Sequence, residues 1–450
     1  MNSLSLFLPC AAGVQDHLAA EVQRITGVAP KAWRAGVALE GSWRDALLLN
    51  LHSRLAQRVL VQLAQHAYRN EQDLYNAAGN VAWEGWFTPR QTFKVEITAQ
   101  HSPLQSLNFA ALRIKDAIAD RFRSRFQDQR PSVDTRFPDV RIYVHLTTDT
   151  VTLHIDTSGE PLFKRGWRED KGDAPLKETL AAAMIAASGW DQLCEQGVPL
   201  YDPCCGSGTI VVEAAQIACH MAPGLQRRFG FEKLAPFQAH VWQSLKAEAQ
   251  ARITAPMAPV FGSDVSFRMV DFAERNAQRA GVAHALQLRG GDALQRMPPG
   301  PSGVMLINPP YGERIEVAGV AGQSSGARGR SQGAPAFSRQ AVDEFGQPLP
   351  DSAARALQGG REAAQNDTGE GVAEFFAQLA AHWKKHFAGW TAHVLTPDLK
   401  LPGKMRLKES RRVPMWNGPI ECRLFRFDLV AGSLRKTDAP TPGSAGQAPG

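Results

Sequence analysis

YDPCCGSGTIVVEAA, residues 201–215, is the stretch on which the fold of this chain turns. A short apolar run ends at Asp202, and apolar residues at helical spacing begin at Thr209. Between them, Gly206-Ser207-Gly208 let the backbone turn sharply and come close to a ligand. A helix opening at that point offers N–H groups with no partner inside the helix. The stretch lacks G-x-x-x-x-G-K-[ST], so it is not a phosphate-binding P-loop, and it is not a full G-x-G-x-x-G, which disfavours a dinucleotide. Two glycines at a strand-to-helix junction can also be no more than a turn.

Outward from this stretch, strand-like and helical runs alternate. VPLYDP (198–203), PVFGSDV (259–265), ALQLRGGDA (285–293) and GVMLIN (303–308) read as strands. PLKETLAAAMIAASG (175–189), TIVVEAAQIAC (209–219) and FRMVDFAERNAQRAG (267–281) read as helices. Alternation of this kind predicts a doubly wound, mostly parallel sheet, which binds ligands at the C-terminal ends of its strands. Acids stand at two further strand ends. Asp264 closes one strand and suits the two hydroxyls of a ribose. Asp292 follows the next and can accept from an adenine amino group. Each acid alone is more often a turn or helix-cap residue.

The first 160 residues differ. VQDHLAAEVQRI (14–25) and NFAALRIKDAIADRFRSRF (108–126) have helical spacing. TFKVEITAQ (92–100) and residues 139–158 alternate in the strand manner, the latter as a hairpin turning at TTDT (147–150). This mixture predicts an α+β unit. Residues 318–370, rich in Gly, Ser, Ala and Gln, read as a disordered insertion and residues 431–450 as a disordered tail. A helix over 371–389 and a strand over 390–397 resume the fold.

VMLINPPYG (304–312) carries the chemistry. The prolines hold the peptide after Asn308 rigid. The Asn308 side-chain oxygen and a neighbouring carbonyl form a pair of acceptors that matches both hydrogens of a planar –NH2, and Tyr311 can stack on the attached ring. An ordinary Pro-Pro turn leaves the Asn, the Tyr and their place at a strand end unexplained together.

Bulk properties fit a cytoplasmic protein with a polyanionic partner. Of 450 residues, 44% are hydrophobic and 21% charged, with a net charge of +6. No run of about 18 apolar residues predicts a membrane span. The N-terminus lacks the basic flank of a signal peptide and reads as a first strand. The six cysteines form no C-x-x-C or His/Cys cluster, so neither a zinc site nor a disulfide framework is expected. Cys204 and Cys205 read as small packed side chains rather than nucleophiles. In KLPGKMRLKESRR (400–412) six cations, among them Lys404, Arg406, Arg411 and Arg412, face one acid, Glu409. A phosphate-binding loop and a solvated basic loop account for it equally well.

DPCCGSGT, GSD, GGDA and INPPYGER resemble motifs I to IV of the class I S-adenosylmethionine-dependent methyltransferases that methylate amino groups. FKRGWREDKGDAPLKETLAAA (163–183) resembles the R-G-[YW]-R…A-P-[IL]-K-E segment of THUMP-containing RNA guanine-N2 methyltransferases. MAPGL (221–225), WQSLKAEAQ (242–250) and NGPIECRLFRF (417–427) resemble the bacterial 23S rRNA members, and residues 131–159 the end of a THUMP domain. The resemblance implies a ferredoxin-like lobe (1–55), an RNA-binding THUMP domain (56–160) and a Rossmann-like catalytic domain (161–430). It implies S-adenosyl-L-methionine held by Asp202, Pro203, Cys204, Gly206, Ser207, Gly208, Thr209, Asp264, Val265, Asp292, Ala293 and Asn308. Asn308, Pro309, Pro310 and Tyr311 would be catalytic, and no metal is expected. Lys164, Arg165 and Arg168, with the basic residues of 400–412, would touch RNA. The expected substrate is 23S rRNA or a large-subunit assembly intermediate, at guanosine 2445 in the standard numbering, acted on by a monomer. With no second methyltransferase domain after residue 430, the second activity of larger fused relatives is not expected. A DNA adenine-N6 or cytosine-N4 methyltransferase, a protein glutamine-amide methyltransferase and a silent RNA-binding factor are the competing readings.

Overall fold

The computed structural model describes residues 3–33, 35–172, 176–309 and 370–431. The expected insertion (318–370) and tail (431–450) lie outside the described residues, save for residues 370 and 431, and so do Pro310 and Tyr311.

The N-terminal part forms an eight-stranded sheet. Its strands are β1 (Leu4–Pro9), β2 (Lys31–Trp33), β3 (Gly36–Gly41), β4 (Leu60–Ala67), β5 (Thr92–Ala99), β6 (Ser132–Val133), β7 (Val140–Leu146) and β8 (Thr150–Asp156), in the order β2-β3-β1-β4-β8-β7-β5-β6. Helices α1 (Gln15–Thr26), α2 (Trp43–His52), α3 (Glu71–Asn80) and α4 (Leu107–Arg125) accompany it. Two of them start at reciprocal capping boxes, Ser42 with Asp45 and Asn70 with Asp73, which satisfy N–H groups that the first helical turn leaves open. The hairpin expected over 139–158 is β7–β8, antiparallel from Ile142↔Ile155 to Leu146↔Val151. Pairing of β4 with both β1 and β8 joins the first lobe and the THUMP-like segment in one sheet.

The C-terminal part is a seven-stranded sheet of β9 (Leu200–Asp202), β10 (Val260–Asp264), β11 (Leu286–Gly290), β12 (Gly303–Ile307), β13 (Trp390–Thr396), β14 (Arg411–Asn417) and β15 (Ile420–Asp428). Their order is β11-β10-β9-β12-β13-β15-β14. The first five run parallel; β15 is antiparallel to β13 and to β14. The helices are α5 (Glu178–Ser188), α6 (Trp190–Leu193), α7 (Thr209–Ala218), α8 (Ala239–Ala251), α9 (Phe267–Arg279), α10 (Glu370–His386) and α11 (Leu401–Met405). All five residues of β12 are buried, as expected of a parallel strand covered on both faces. From β9 the chain winds outward through β10 and β11, then crosses back to β12. The switch point between β9 and β12 is where such sheets leave a crevice.

The stretch 400–412 is more ordered than a loop: it holds α11 and the start of the edge strand β14. Pro402, Gly403 and Pro414 read locally as breakers, but pairing with β15, from Arg411↔Arg426 to Asn417↔Ile420, forms the strand through a distant partner.

The two sheets share one hydrophobic core. Ionic contacts reinforce the junction: Glu213 on α7 takes Arg54 at 3.2 Å and Arg165 at 3.0 Å. Gly13, at φ +82°, lies so close to β14 that a Cβ would sit 2.3 Å from the Pro414 carbonyl oxygen.

Candidate active site

The ends of β9, β10, β11 and β12 bring the motif residues together. Asp202, 2% exposed, ends β9 and accepts from the Cys204 N–H at 3.0 Å. The Gly206 N–H donates to Asp264 Oδ2 at 2.9 Å, and the Ser266 N–H to Asp264 Oδ1 at 2.9 Å. Asp264 thus ties the glycine loop to the end of β10. The Gly291 N–H donates to the Asp264 carbonyl at 2.9 Å, and Asp292 Oδ1 accepts from the Leu294 N–H at 2.9 Å. All three acids act as turn residues, the role each could have had alone. Their convergence at adjacent strand ends is what turn chemistry does not require.

The two glycines of the loop serve different needs. Gly206, at φ +53°, has nothing within 4 Å of where a Cβ would stand, so its side of the loop is open. Gly208, at φ +87°, caps α7, and a Cβ there would stand 2.8 Å from the Ala273 Cβ on α9. One keeps a left-handed turn beside open space; the other lets two helices close on each other.

Burial sets the electrostatics. It raises the Asp202 carboxyl well above its usual range, with Asp264 adding to the rise against the Cys204 N–H. Asp264 is raised by burial too, and the Ser266 and Gly206 N–H groups partly offset this. Burial, followed by the charges of Asp202 and Asp264, also pushes the Cys204 and Cys205 thiols well up. A thiol so disposed is a poor nucleophile.

At the end of β12, Asn308 Oδ1 is buried and has no hydrogen-bond partner among the described residues. Pro309 is buried beside it. An acceptor left so costs roughly 1–3 kcal/mol in a folded protein, and such groups call for a functional account.

Two expected RNA ligands are placed elsewhere. Arg165 is 1% exposed, bonded to Glu213, to the Leu162 carbonyl at 2.9 Å and to the Arg54 carbonyl at 2.7 Å. Arg168 pairs with Glu178 at 2.9 Å and donates to Thr209 Oγ1 at 2.6 Å. Both are internal braces, not phosphate ligands: Arg165 is held by Glu213 of α7 and Arg168 by Glu178 of the same segment, and R-G-W-R alone gives no sign of either pairing. Lys164 is exposed but pairs with Glu160, and Lys404 pairs with Asp398 at 2.7 Å. Arg406, Arg411 and Arg412 are exposed. Val265 is 37% exposed and Ala293 6%, at the ends where the acids sit.

A residue that sequence reasoning missed is Asn276. It is fully buried on α9, and its Nδ2 donates to the Ser207 carbonyl at 3.0 Å and the Asp170 carbonyl at 2.8 Å. Arg275 and Arg279 clamp the Asp170 carboxylate at 2.9 and 2.6 Å and hold it ionised, with its pKa lowered to about 2. The signal was an Asn in the apolar stripe with Ala273 and Ala277. Among the described residues no group of His, Cys, Asp or Glu has the makings of a metal site, and no helix is long and apolar enough to cross a membrane.

Three family models match successive parts of the chain. Residues 5–60 match the RlmL ferredoxin-like domain, 68–156 the THUMP domain, and 165–323 the RMKL-like methyltransferase domain. By these matches the chain is similar to THUMP-bearing proteins with an RMKL-like methyltransferase domain. Among curated relatives it is similar to the ribosomal RNA large subunit methyltransferases K/L of Psychromonas ingrahamii and Syntrophotalea carbinolica. The first is 34% identical over 95% of this chain, the second 35% over 97%. The chain spans about half the length of these relatives, 50% and 55%. Among solved structures, SMU.472, a putative methyltransferase complexed with SAH, superposes with a TM-score of 0.76 at 24% identity, covering 96% of this chain and 100% of its own. A predicted N6-adenine-specific DNA methylase from Listeria monocytogenes gives 0.75 at 25% identity, covering 95% of this chain and 97% of its own.

Proposed function

We propose that this chain methylates the exocyclic N2 amine of a guanosine in 23S rRNA, with S-adenosylmethionine as donor and guanosine 2445 as the target. The observation that carries the reading is the buried, unpartnered Asn308 Oδ1 at the switch point, one strand from the glycine loop. The relatives named as large-subunit rRNA methyltransferases and the THUMP match support RNA as the substrate class. The structural neighbour with bound SAH supports the cofactor.

The residues present fit that cofactor. Gly206 leaves open space for a ligand against the backbone, and Asp264 and Asp292 stand at the ends of β10 and β11, where ribose and adenine would be recognised. When bound, the cofactor supplies an electrophilic methyl group on a sulfonium.

The work of the chain is positioning. Guanine N2 is a weak nucleophile because its lone pair is delocalised into the ring. Asn308 Oδ1 and the Pro309 carbonyl would accept its two N–H bonds, aim the lone pair at the methyl carbon and favour the positive charge that develops on nitrogen. The new N–C bond forms as the C–S electrons return to sulfur, and one N–H proton then leaves to water. Tyr311 would stack on the base once it is flipped out or unpaired.

The test is incubation of the protein with labelled S-adenosylmethionine and unmodified 23S rRNA, DNA or ribosomal protein, followed by digestion. N2-methylguanosine from RNA is expected. N6-methyladenine or N4-methylcytosine from DNA, or methylglutamine from protein, would replace this reading with one of its competitors.

A further inference from the structure

Between the N-terminal lobe and the catalytic part lies a cavity of about 400 Å³ that none of the strand-end acids, the glycine loop or Asn308 lines. Helices α1 and α2 form one wall, and α5, α7 and α8 the other. Leu48, Ile185, Ile217 and Leu245 supply the apolar part of its lining. Arg24, Arg44, Arg54 and Arg252 bring four guanidiniums to it.

Four guanidiniums, Arg24, Arg44, Arg54 and Arg252, stand against three lining carboxyls, Glu21, Asp191 and Glu248. Among the described residues neither Arg24 nor Arg252 makes an ion pair, and both are exposed at the mouth. Arg44 reaches Glu248 only at 3.8 Å, with both side chains half exposed. Glu21 is already bonded to Ser53 Oγ at 2.7 Å and the Arg54 N–H at 2.9 Å. Asp191 is raised by burial, against the pull of Arg24 and His17. Burial first, then the charges of Arg252 and Arg54, against Glu248, lower His52 to about 4, so it is neutral and adds no competing charge. Arg54, Arg252 and His52 all line the same cavity.

We propose that this interlobe cavity is a second ligand site for a small organic anion, a ring-sized apolar body carrying a phosphate, sulfonate or carboxylate head. The body lies against Leu48, Ile185 and Leu245, and the head lies beside Arg252, whose guanidinium makes no ion pair among the described residues. A volume near 400 Å³ is that of a small-ligand pocket. Arg54, also in the lining, is bonded to Glu213 of α7, the helix that the glycine loop opens, and to the Met221 carbonyl.

The experiment titrates the whole chain with 8-anilinonaphthalene-1-sulfonate and, in parallel, with its neutral counterpart N-phenyl-1-naphthylamine, reading fluorescence. One saturable sulfonate site is expected, with the neutral dye weaker by about tenfold or more. Arg252→Gln, at an exposed position, is expected to weaken the sulfonate dye by about tenfold, and Ala186→Phe, which fills the half-buried lining, to abolish it. S-adenosylhomocysteine is expected not to displace it, which keeps the readout independent of methyl transfer. Equal binding of the two dyes, no effect of either variant, or displacement by S-adenosylhomocysteine would each overturn the proposal.

Discussion

β7 in the N-terminal sheet alternates buried and half-buried residues from Val140 to Leu146, whereas β12 in the catalytic sheet buries every residue from Gly303 to Ile307. The first strand packs one face and leaves the other for polar groups: Arg141 bridges Glu96 at 3.2 Å and Glu160 at 2.8 Å there. The second is covered on both sides, so only its end is left to meet a substrate. A one-faced sheet can present a surface. A two-faced sheet can present only strand ends, and there the motif acids, the glycine loop and Asn308 collect.

The largest effect expected follows from that confinement. Asn308→Ala removes a single acceptor at a strand end and should lower methyl transfer by about 10²–10³-fold, the usual scale for a group that meets developing charge. Cofactor affinity, measured by calorimetry, should change only a few-fold. Wild-type turnover in this variant would take Asn308 out of the mechanism.

Next come the two glycines, identical in sequence and unlike in place. Gly206→Ala meets open space and costs mainly the left-handed backbone, about 1–2 kcal/mol. Gly208→Ala adds an overlap with Ala273 on α9 and should cost about 2–4 kcal/mol in denaturant unfolding. Equal costs would mean that α7 and α9 give way easily, and the close packing of the catalytic half would then not hold the loop.

A third comparison sets one histidine of each sheet side by side. Burial lowers His154 on β8 to about 4, with His145 adding to it, and lowers His393 on β13 to about 4, with Arg426 adding to it. Both folded-state values lie below the ordinary 6.5, so the unfolded chain takes up the protons first. The stability these residues contribute as neutral groups is present above about pH 6.5 and is lost as pH falls towards about 4. At about pH 5 the loss is about 2 kcal/mol for each. Melting curves across this range should flatten in His154→Gln and in His393→Gln alike, although only His393 lies in the sheet that carries the strand-end site.

The same contrast explains what could be read in advance. Period-two alternation over 139–158 and the apolar run before Asn308 are local signals, and both became strands at those places. The strand over Arg411–Asn417 was illegible because its cause is β15, and Pro414 argued locally against it. Arg165 and Arg168 carried the right charge for phosphate, but their charges are used by Glu213 and Glu178, and no spacing rule links those positions. Of the site, Asp202, Asp264, Asp292 and Asn308 were legible because strand ends repeat along the chain. Asn276, which ties Ser207 to Asp170, was hidden because its two bonds reach back 69 and 106 residues.

The smallest effect belongs to the sheet's far edge. Arg411 and Arg412 open β14, at the opposite side of the sheet from β11, and both are exposed. Replacing both with Gln should weaken rRNA binding only severalfold and lower the slope of log affinity against log salt by about one to two. Turnover at saturating RNA should not change, because neither residue is near Asn308 in the strand order. If the slope is unchanged, these arginines are a solvated basic surface, and the proposed RNA contact would fall to the N-terminal part, where Phe137 is 73% exposed and Phe109 50%. The division of labour would then follow the burial patterns: the half with a free face holds the RNA, and the half with only strand ends does the chemistry.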